Sequence, residues 1–293
     1  MFFMMSKKWL FFIFLIFSLV SFSQTYDSYK PERDKIHDLV HTKLKVDFNF
    51  NKKELNGEAW VTAKPHFYAT DHFSLDAKAM IIHQVSFNNE ILEYSYDDYK
   101  INIDLPKEFR KGEEFTIYIK YTARPEKVAQ KGSAAITSAK GLYFINADGY
   151  DKNKPTQIWT QGETEASSCW FPTIDTPNQK TTQEIYITVP KRFVTLSNGK
   201  LVDQVVNGSN RTDYWKMDKK HAPYLFFMGV GEYEIIKDSY NNIPIDYYVE
   251  KKYAPYAKDI FGLTPEMMGF FSDILGVDYP WDKYHQIVGR DFV

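Results

Sequence analysis

From Leu44 the chain alternates strictly: Leu44, Val46, Phe48 and Phe50 are separated by Lys45, Asp47 and Asn49. A polar turn over 51–53 interrupts the run, and Leu55, Gly57, Ala59 and Val61 resume it. Residues two apart share a face of an extended chain, so the pattern predicts two half-buried antiparallel strands. Similar short runs recur at 73–75, 81–87, 101–105 and 115–121, and again at 185–189, 193–198, 213–217 and 224–233. Gly, Pro, Asn and Asp turns separate them. Such a series, with almost no helical periodicity, predicts a mainly β fold: a large antiparallel sandwich or saddle. No internal repeat or low-complexity linker interrupts it.

The character changes after about Lys237. One more strand is expected at 245–249, and then Thr264 can cap a helix whose first residue is Pro265. Met267, Phe270, Phe271, Ile274 and Leu275 fall at helical spacing and are expected in a core, with Gly276 as the stop. A last strand is expected at 284–288. This α/β unit begins and is not completed, so the expected domains are a β domain over 24–237 and the incomplete start of a second domain over 238–293. Before them, Lys7 and Lys8 precede an uncharged apolar run from Trp9 to Phe22. Small residues at Ser21 and Ser23 place a signal-peptide cleavage before Gln24. The run is shorter than the roughly 20 residues of a bilayer span. Residues 1–23 therefore read as a signal peptide, and the chain as exported, with no membrane contact after cleavage.

Charge and cysteine usage narrow the partners. Formal net charge is −2, and without Lys7 and Lys8 it is 34 basic against 38 acidic, or −4. A mildly acidic chain with no basic stripe is a poor nucleic-acid binder. The single cysteine, Cys169, excludes an intrachain disulfide, so stability must come from packing. Aromatics at 17% of the residues supply the material for that core.

Three candidates for chemistry stand out. His37 and His41 have the i, i+4 spacing that lets two imidazoles meet one metal on a helix. Asp38 stands where a Glu base is usual, and the strand pattern begins near His41. Histidines four apart on a strand lie roughly 13 Å from each other. The pair therefore reads as a decoy. His66, His72, His83, His221 and His285 are scattered without ligand spacing. Cys169 has apolar and aromatic flanks and reads as a small buried hydrophobe. The third candidate is Thr160 to Pro177, TQGETEASSCWFPTIDTP, which abandons periodicity while keeping bulky aromatics and a carboxylate. Such a stretch has the make-up of a binding wall. By residue type alone Glu163 reads as a solvated loop carboxylate. Alternatively, fixed beside Gly162 and Gln161, it pairs with a cation such as a peptide's free α-amine. No nucleophile elbow or phosphate-binding loop occurs, and no complete catalytic constellation is present.

Taken in order, several segments resemble the zinc aminopeptidase family that includes aminopeptidase N and the leukotriene hydrolase. His41–Pro65 resembles the family's opening strand pair, Phe73–Ala77 its Leu-Asp strand, and Gly141-Leu142-Tyr143 its Gly-Leu/Phe-Tyr strand. Tyr224–Glu234 is similar to the last β-domain strand, and Tyr279-Pro280-Trp281-Asp282-Lys283-Tyr284 to the opening of the thermolysin-like catalytic domain. Thr160–Pro177 resembles the Thr-Gln-x-Glu/Gln stretch with its Phe-Pro-Cys-x-Asp-x-Pro block, although Cys169 precedes Phe171-Pro172 here. The resemblance implies that Gln161 and Glu163 are substrate contacts, with Glu163 holding the α-amine, and that Asp175 and Pro177 form a structural turn. Nineteen residues after His41, where a zinc ligand would follow the second histidine, stands Trp60.

The family's Gly-x-Met-Glu-Asn and His-Glu-x-x-His motifs do not occur among these residues. The expectation is therefore the N-terminal part of an exported zinc aminopeptidase, with a peptide bearing a free amino terminus as partner. Zinc would belong to the complete enzyme and not to this chain, which would be inactive alone. The alternative is a non-catalytic β-sandwich binding or scaffold module. A carbohydrate-binding role is weaker, because aromatic content more often builds core.

Overall fold

The computed structural model of this chain describes residues 32–128 and 139–292. The expected signal peptide at 1–23 lies outside the described residues. Strands are numbered in chain order. The largest sheet runs β13 (Lys200–Asn207), β14 (Asn210–His221), β11 (Thr181–Pro190), β1 (His37–Asn49), β2 (Glu54–Pro65), β8 (Phe115–Ala123), β4 (Met80–Phe87) and β5 (Glu90–Ile91). Alternation places one row of side chains straight across it. Trp215, Ile185, Leu44, Ala59, Ile119 and Val85 are register neighbours from β14 to β4, and each is at most 3% exposed. Burying one aliphatic side chain of this size stabilises by about 1.5–3 kcal/mol. A one-residue slip of any strand would turn its part of the row to the opposite face. On that opposite face Lys43 lies over the Trp60 ring and Tyr186 stacks on Tyr214, so lysine stems and rings cover the sheet toward solvent.

Three smaller sheets and a strand pair complete the architecture. One sheet runs β12 (Val194–Ser197), β15 (Met228–Gly231), β10 (Gln157–Thr160) and β9 (Leu142–Ile145). A second runs β3 (Thr70–Asp76), β7 (Lys100–Phe109) and β6 (Tyr94–Tyr96). The third is β16 (Glu234–Ile236), β19 (Tyr247–Val249) and β20 (Gln286–Ile287), and β17 (Ser239–Tyr240) pairs with β18 (Ile243–Pro244). One continuous core joins the first three sheets, with Phe73, Leu75, Ile101, Trp170 and Phe226 among its buried members. From Lys35 onward the chain forms one compact unit.

The architecture is mainly β with antiparallel pairing dominant, as the alternation predicts. Two pairs depart from it, because β1–β11 and β19–β20 are parallel. β1 already gives one edge to its hairpin partner β2, and its other edge accepts a strand about 140 residues away in sequence. Loop length does not fix the direction of so distant a strand.

Two short helices follow β19, α1 (Ala257–Phe261) and α2 (Thr264–Leu275). The helix predicted from Pro265 is present, one residue longer at its start. Leu263 occupies the cap position, and Thr264 instead places its hydroxyl 2.7 Å from the Phe261 carbonyl. Gly276, left-handed at φ 64°, ends it. The expectation that its apolar stripe is core is overturned. Met267, Phe270, Phe271, Ile274 and Leu275 are 52–69% exposed, and only Thr264 and Met268 are buried. Met268 joins Ile245 and Tyr247 in a separate small cluster.

Candidate functional site

Strand β10 delivers the Thr160–Pro177 segment. It is held on both sides, by β9 through Trp159 opposite Tyr143 and by β15 through Trp159 opposite Gly229. The Gln161 N–H extends the ladder by one bond to the Gly141 carbonyl, 2.9 Å away. Two glycines allow the close approach that follows. A side chain on Gly141, which has φ +71°, would meet the Ala166 carbonyl, and one on Gly162 would lie 2.3 Å from the Tyr224 carbonyl and 2.4 Å from Ser167 Oγ. The turn after Gly162 closes through Ala166 N–H to Gly162 O at 2.8 Å. Ser167 Oγ donates to Pro223 O at 2.9 Å. Gln161, Gly162 and Glu163 are therefore clamped between the strands behind them and the Pro223–Leu225 turn.

The two halves of the segment differ in environment. Gln161 is half-buried, and Glu163, Thr164 and Glu165 are exposed. The Gln161 side chain bends back onto its neighbour. Its Oε1 accepts the Glu163 N–H, and its Nε2 lies 3.4 Å from Glu163 Oε2. This fixes the start of the Glu163 side chain and leaves its carboxylate facing solvent. Among the described residues no Lys, Arg or His forms an ion pair with it. The Glu163–Thr164 peptide bond is cis.

From Ala166 to Thr173 every residue is buried. Trp170 and Phe171 are fully enclosed, 4.4 Å apart, and Phe171 stacks on Phe226 at 4.9 Å. The expected aromatic wall is thus core, and what the segment shows to solvent is polar. Irregular backbone can be buried this deeply only if its polar groups find partners. Ser168 N–H donates to Asp175 Oδ2 at 2.8 Å, Ser168 O accepts from Lys78 N–H, and Asp175 N–H donates to Asp76 Oδ2 at 2.9 Å. Asp76 and Thr173 exchange backbone bonds at 2.7 and 3.1 Å. Burial pushes the Asp175 carboxyl up to about 6, with the Ser168 N–H pulling the other way and Asp76 adding repulsion. Asp175 is therefore a structural brace, as its place in an Asp-x-Pro turn implies.

The final described residues lie along the same strand. Trp159 Nε1 donates to Arg290 O at 3.0 Å, Arg290 N–H donates to Gln157 Oε1 at 2.9 Å, and the Phe292 ring meets Trp159 edge-on at 5.4 Å. The Arg290 guanidinium is bound through Nη2 to Glu250 Oε2 at 2.8 Å and through Nε to Oε1. That pairing holds the Glu250 carboxyl below its ordinary range. Two distant stretches of chain therefore meet on β10, immediately before Gln161.

The other sequence candidates do not converge. His37 and His41 both lie in β1, as the strand reading requires. His37 is packed edge-on between Phe73 and Phe115, and burial draws it down to about 4, so it is neutral. His41 stands 2.7 Å from Thr182 Oγ1 and 3.4 Å from Glu184. Among the described residues no group of three or more His, Cys, Asp or Glu side chains gathers, so these side chains do not fit a zinc ion. Cys169 is buried, its thiol directed at Ala139 O and pushed up to about 12, which removes it as a nucleophile. Sequence reasoning missed the clamp made by Gly141, Gly162 and Pro223. The glycine flanked by Gln161 and Glu163 was its only local signal.

The family model for the Peptidase M1 N-terminal domain matches residues 26–225. The puromycin-sensitive aminopeptidase of Caenorhabditis elegans is 25% identical over 270 residues, covering 86% of this chain and 27% of that protein. A transcription initiation factor, TFIID subunit 2 of Danio rerio, is 23% identical over 196 residues, covering 64% and 15%. Among solved structures, a two-domain M1 zinc metallopeptidase bound to L-tryptophan superposes with a TM-score of 0.72 at 16% identity, covering 88% of this chain and 58% of that one. An M1 zinc metallopeptidase from Deinococcus radiodurans bound to a Tyr-Ser-Ala substrate gives 0.69 at 16%, covering 86% and 56%. The chain thus spans about a quarter or less of these two curated relatives and somewhat more than half of these structures.

Proposed function

This chain belongs to the Peptidase M1 N-terminal domain family, and on that premise we propose that it is the N-terminal part of an exported zinc-dependent aminopeptidase. In this reading Gln161 and Glu163 form one wall of the substrate site. The observation that carries it is the clamped Gln161–Glu163 turn, which ends in a solvent-facing carboxylate with no ion-pair partner among the described residues. A fixed carboxylate suits a protonated α-amine. It accepts charge-assisted hydrogen bonds worth about 1.5–3 kcal/mol, and its fixed position sets the substrate's register from the amino end.

Bond cleavage is assigned to residues outside this chain. When bound in the full-length protein, zinc would supply an activated water. The full-length protein is expected to hydrolyse an aminoacyl anilide, to lose that activity to a zinc chelator, and to regain it on zinc addition. Hydrolysis that survives complete zinc removal would contradict it. Export is tested by sequencing the mature amino terminus, which should begin at Gln24.

A scaffold role is the second reading, favoured by the match to a transcription initiation factor subunit. It predicts a full-length protein that binds peptides or proteins without cleaving them. The same anilide assay on zinc-loaded full-length protein separates the two.

A further inference from the structure

The segment 279–287 flanks an open cavity of about 430 Å³ that it forms with β12 and the Leu225–Phe227 turn; neither Gln161 nor Glu163 lines it. Its apolar wall includes Leu196, Leu225, Phe227 and Ile287. Lys283 and His285 line it as well. Both also line an adjoining cavity with Trp215 and Asp246.

The polar lining has a surplus of donors. The His285 side chain is 9% exposed, yet among the described residues neither ring nitrogen has a hydrogen-bond partner. Its nearest charged neighbour is Asp246 Oδ2, 3.4 Å from Nε2, and that carboxylate already pairs with Lys237 at 2.7 Å. Lys283 Nζ donates to Ser197 O at 2.6 Å and lies 3.9 Å from the Trp215 ring centre, while the ammonium has three protons to give. The other nearby carboxylate, Asp282, faces Lys200 at 3.5 Å. A buried imidazole left unpaired is costly, and a ligand with the right acceptor recovers that cost. Burial also draws Lys283 down to about 7 against the pull of Asp246 and Asp282, so a second acceptor at Nζ would restore its charge.

We propose that this cavity binds a small amphipathic carboxylate, its carboxylate between Lys283 Nζ and His285 and its apolar body along Leu196, Leu225, Phe227 and Ile287. The cavity is roomy enough for a ligand of about ten to fifteen heavy atoms. Nothing in the proposal depends on peptide cleavage.

The test is calorimetric titration of the full chain with 4-phenylbutyrate, beside the neutral isostere 4-phenylbutan-1-ol. One-site binding of the carboxylate with Kd below about 1 mM is expected, weakened at least about tenfold for the alcohol. Lys283→Met should weaken carboxylate binding by a similar factor. Leu225→Trp fills the cavity mouth from a residue that is 44% exposed, so it spares the core and should also abolish binding. Absence of saturable binding, equal affinity for acid and alcohol, or binding unaffected by Leu225→Trp would each overturn the proposal.

Discussion

Two aromatic pairs, Trp170–Phe171 and Phe270–Phe271, occupy the reverse of the settings their local sequences suggest. The first sits in an aperiodic, Ser- and Thr-rich stretch and reads as a surface wall. The second lies on a regular amphipathic helix and reads as core. In the structure Trp170 and Phe171 are fully buried, whereas Phe270 and Phe271 are 58% and 56% exposed. Periodicity states which side chains share a face, and it does not state whether anything lies against that face. Burial of an irregular stretch depends instead on partners for its backbone. Here Asp76, Asp175 and Lys78 supply them.

If that contrast is physical, equivalent changes at the two pairs must differ strongly. Trp170→Ala removes a fully enclosed ring and should cost about 3–5 kcal/mol in urea denaturation. A cost below about 1 kcal/mol would break the contrast at its buried side. Next in size is Asp175→Ala, which leaves the buried Ser168 N–H without its acceptor and should cost about 1–3 kcal/mol. Asp175→Asn keeps an acceptor and tests the charge alone. The folded carboxyl titrates near 6 and the unfolded one near 3.8, so in that window the folded state holds the proton more tightly. The Asp175 contribution to stability therefore declines as pH rises from about 4 through 6. Relative to the parent chain, Asp175→Asn should gain stability over the same window in pH-resolved thermal melts. A constant difference from pH 4 to 7 would show that the carboxyl is not perturbed.

At the exposed pair the effect should be small. Phe270→Ser with Phe271→Ser should change stability by no more than about 0.5–1 kcal/mol and should raise solubility, measured by urea denaturation and light scattering. A loss of several kcal/mol would mean that these rings are packed in solution. The smallest stability effect belongs to Glu163→Ala, where a solvent-facing carboxylate is removed without disturbing the clamp around Gly162. Its melting temperature should match the parent.

The β framework was legible because alternation is local. The row from Trp215 to Val85 is a consequence of period-two patterning in six strands, each readable from its own residues. Helix α2 was legible for the same reason, through Pro265, the 3.6-residue stripe and Gly276. The direction of β11 against β1 was not, because its register is set by sequence-distant packing. The candidate site was half legible. Gln161 and Glu163 are singled out by the resemblance of their segment to the family's Thr-Gln-x-Glu/Gln stretch, since residue type alone leaves Glu163 a solvated carboxylate, and the structure holds the two together. The clamp around them could not, since Ser167 meets Pro223 56 positions away and Asp175 meets Asp76 99 positions away. The Lys283–His285 cavity gave no signal at all. His285 is one more scattered histidine in the sequence, and only the pairing of the following strand β20 with β19 brings it beside Asp246.

The central claim is that the Glu163 carboxylate is exposed in order to bind, while the rest of its segment is buried in order to hold it. Steady-state hydrolysis of an aminoacyl anilide by the full-length protein, parent against Glu163→Ala, tests it most directly. Loss of a charge-assisted contact worth about 1.5–3 kcal/mol should lower kcat/KM by about 10- to 100-fold at unchanged melting temperature. A kcat/KM equal to the parent's would contradict the assignment and leave Glu163 as an ordinary solvated carboxylate.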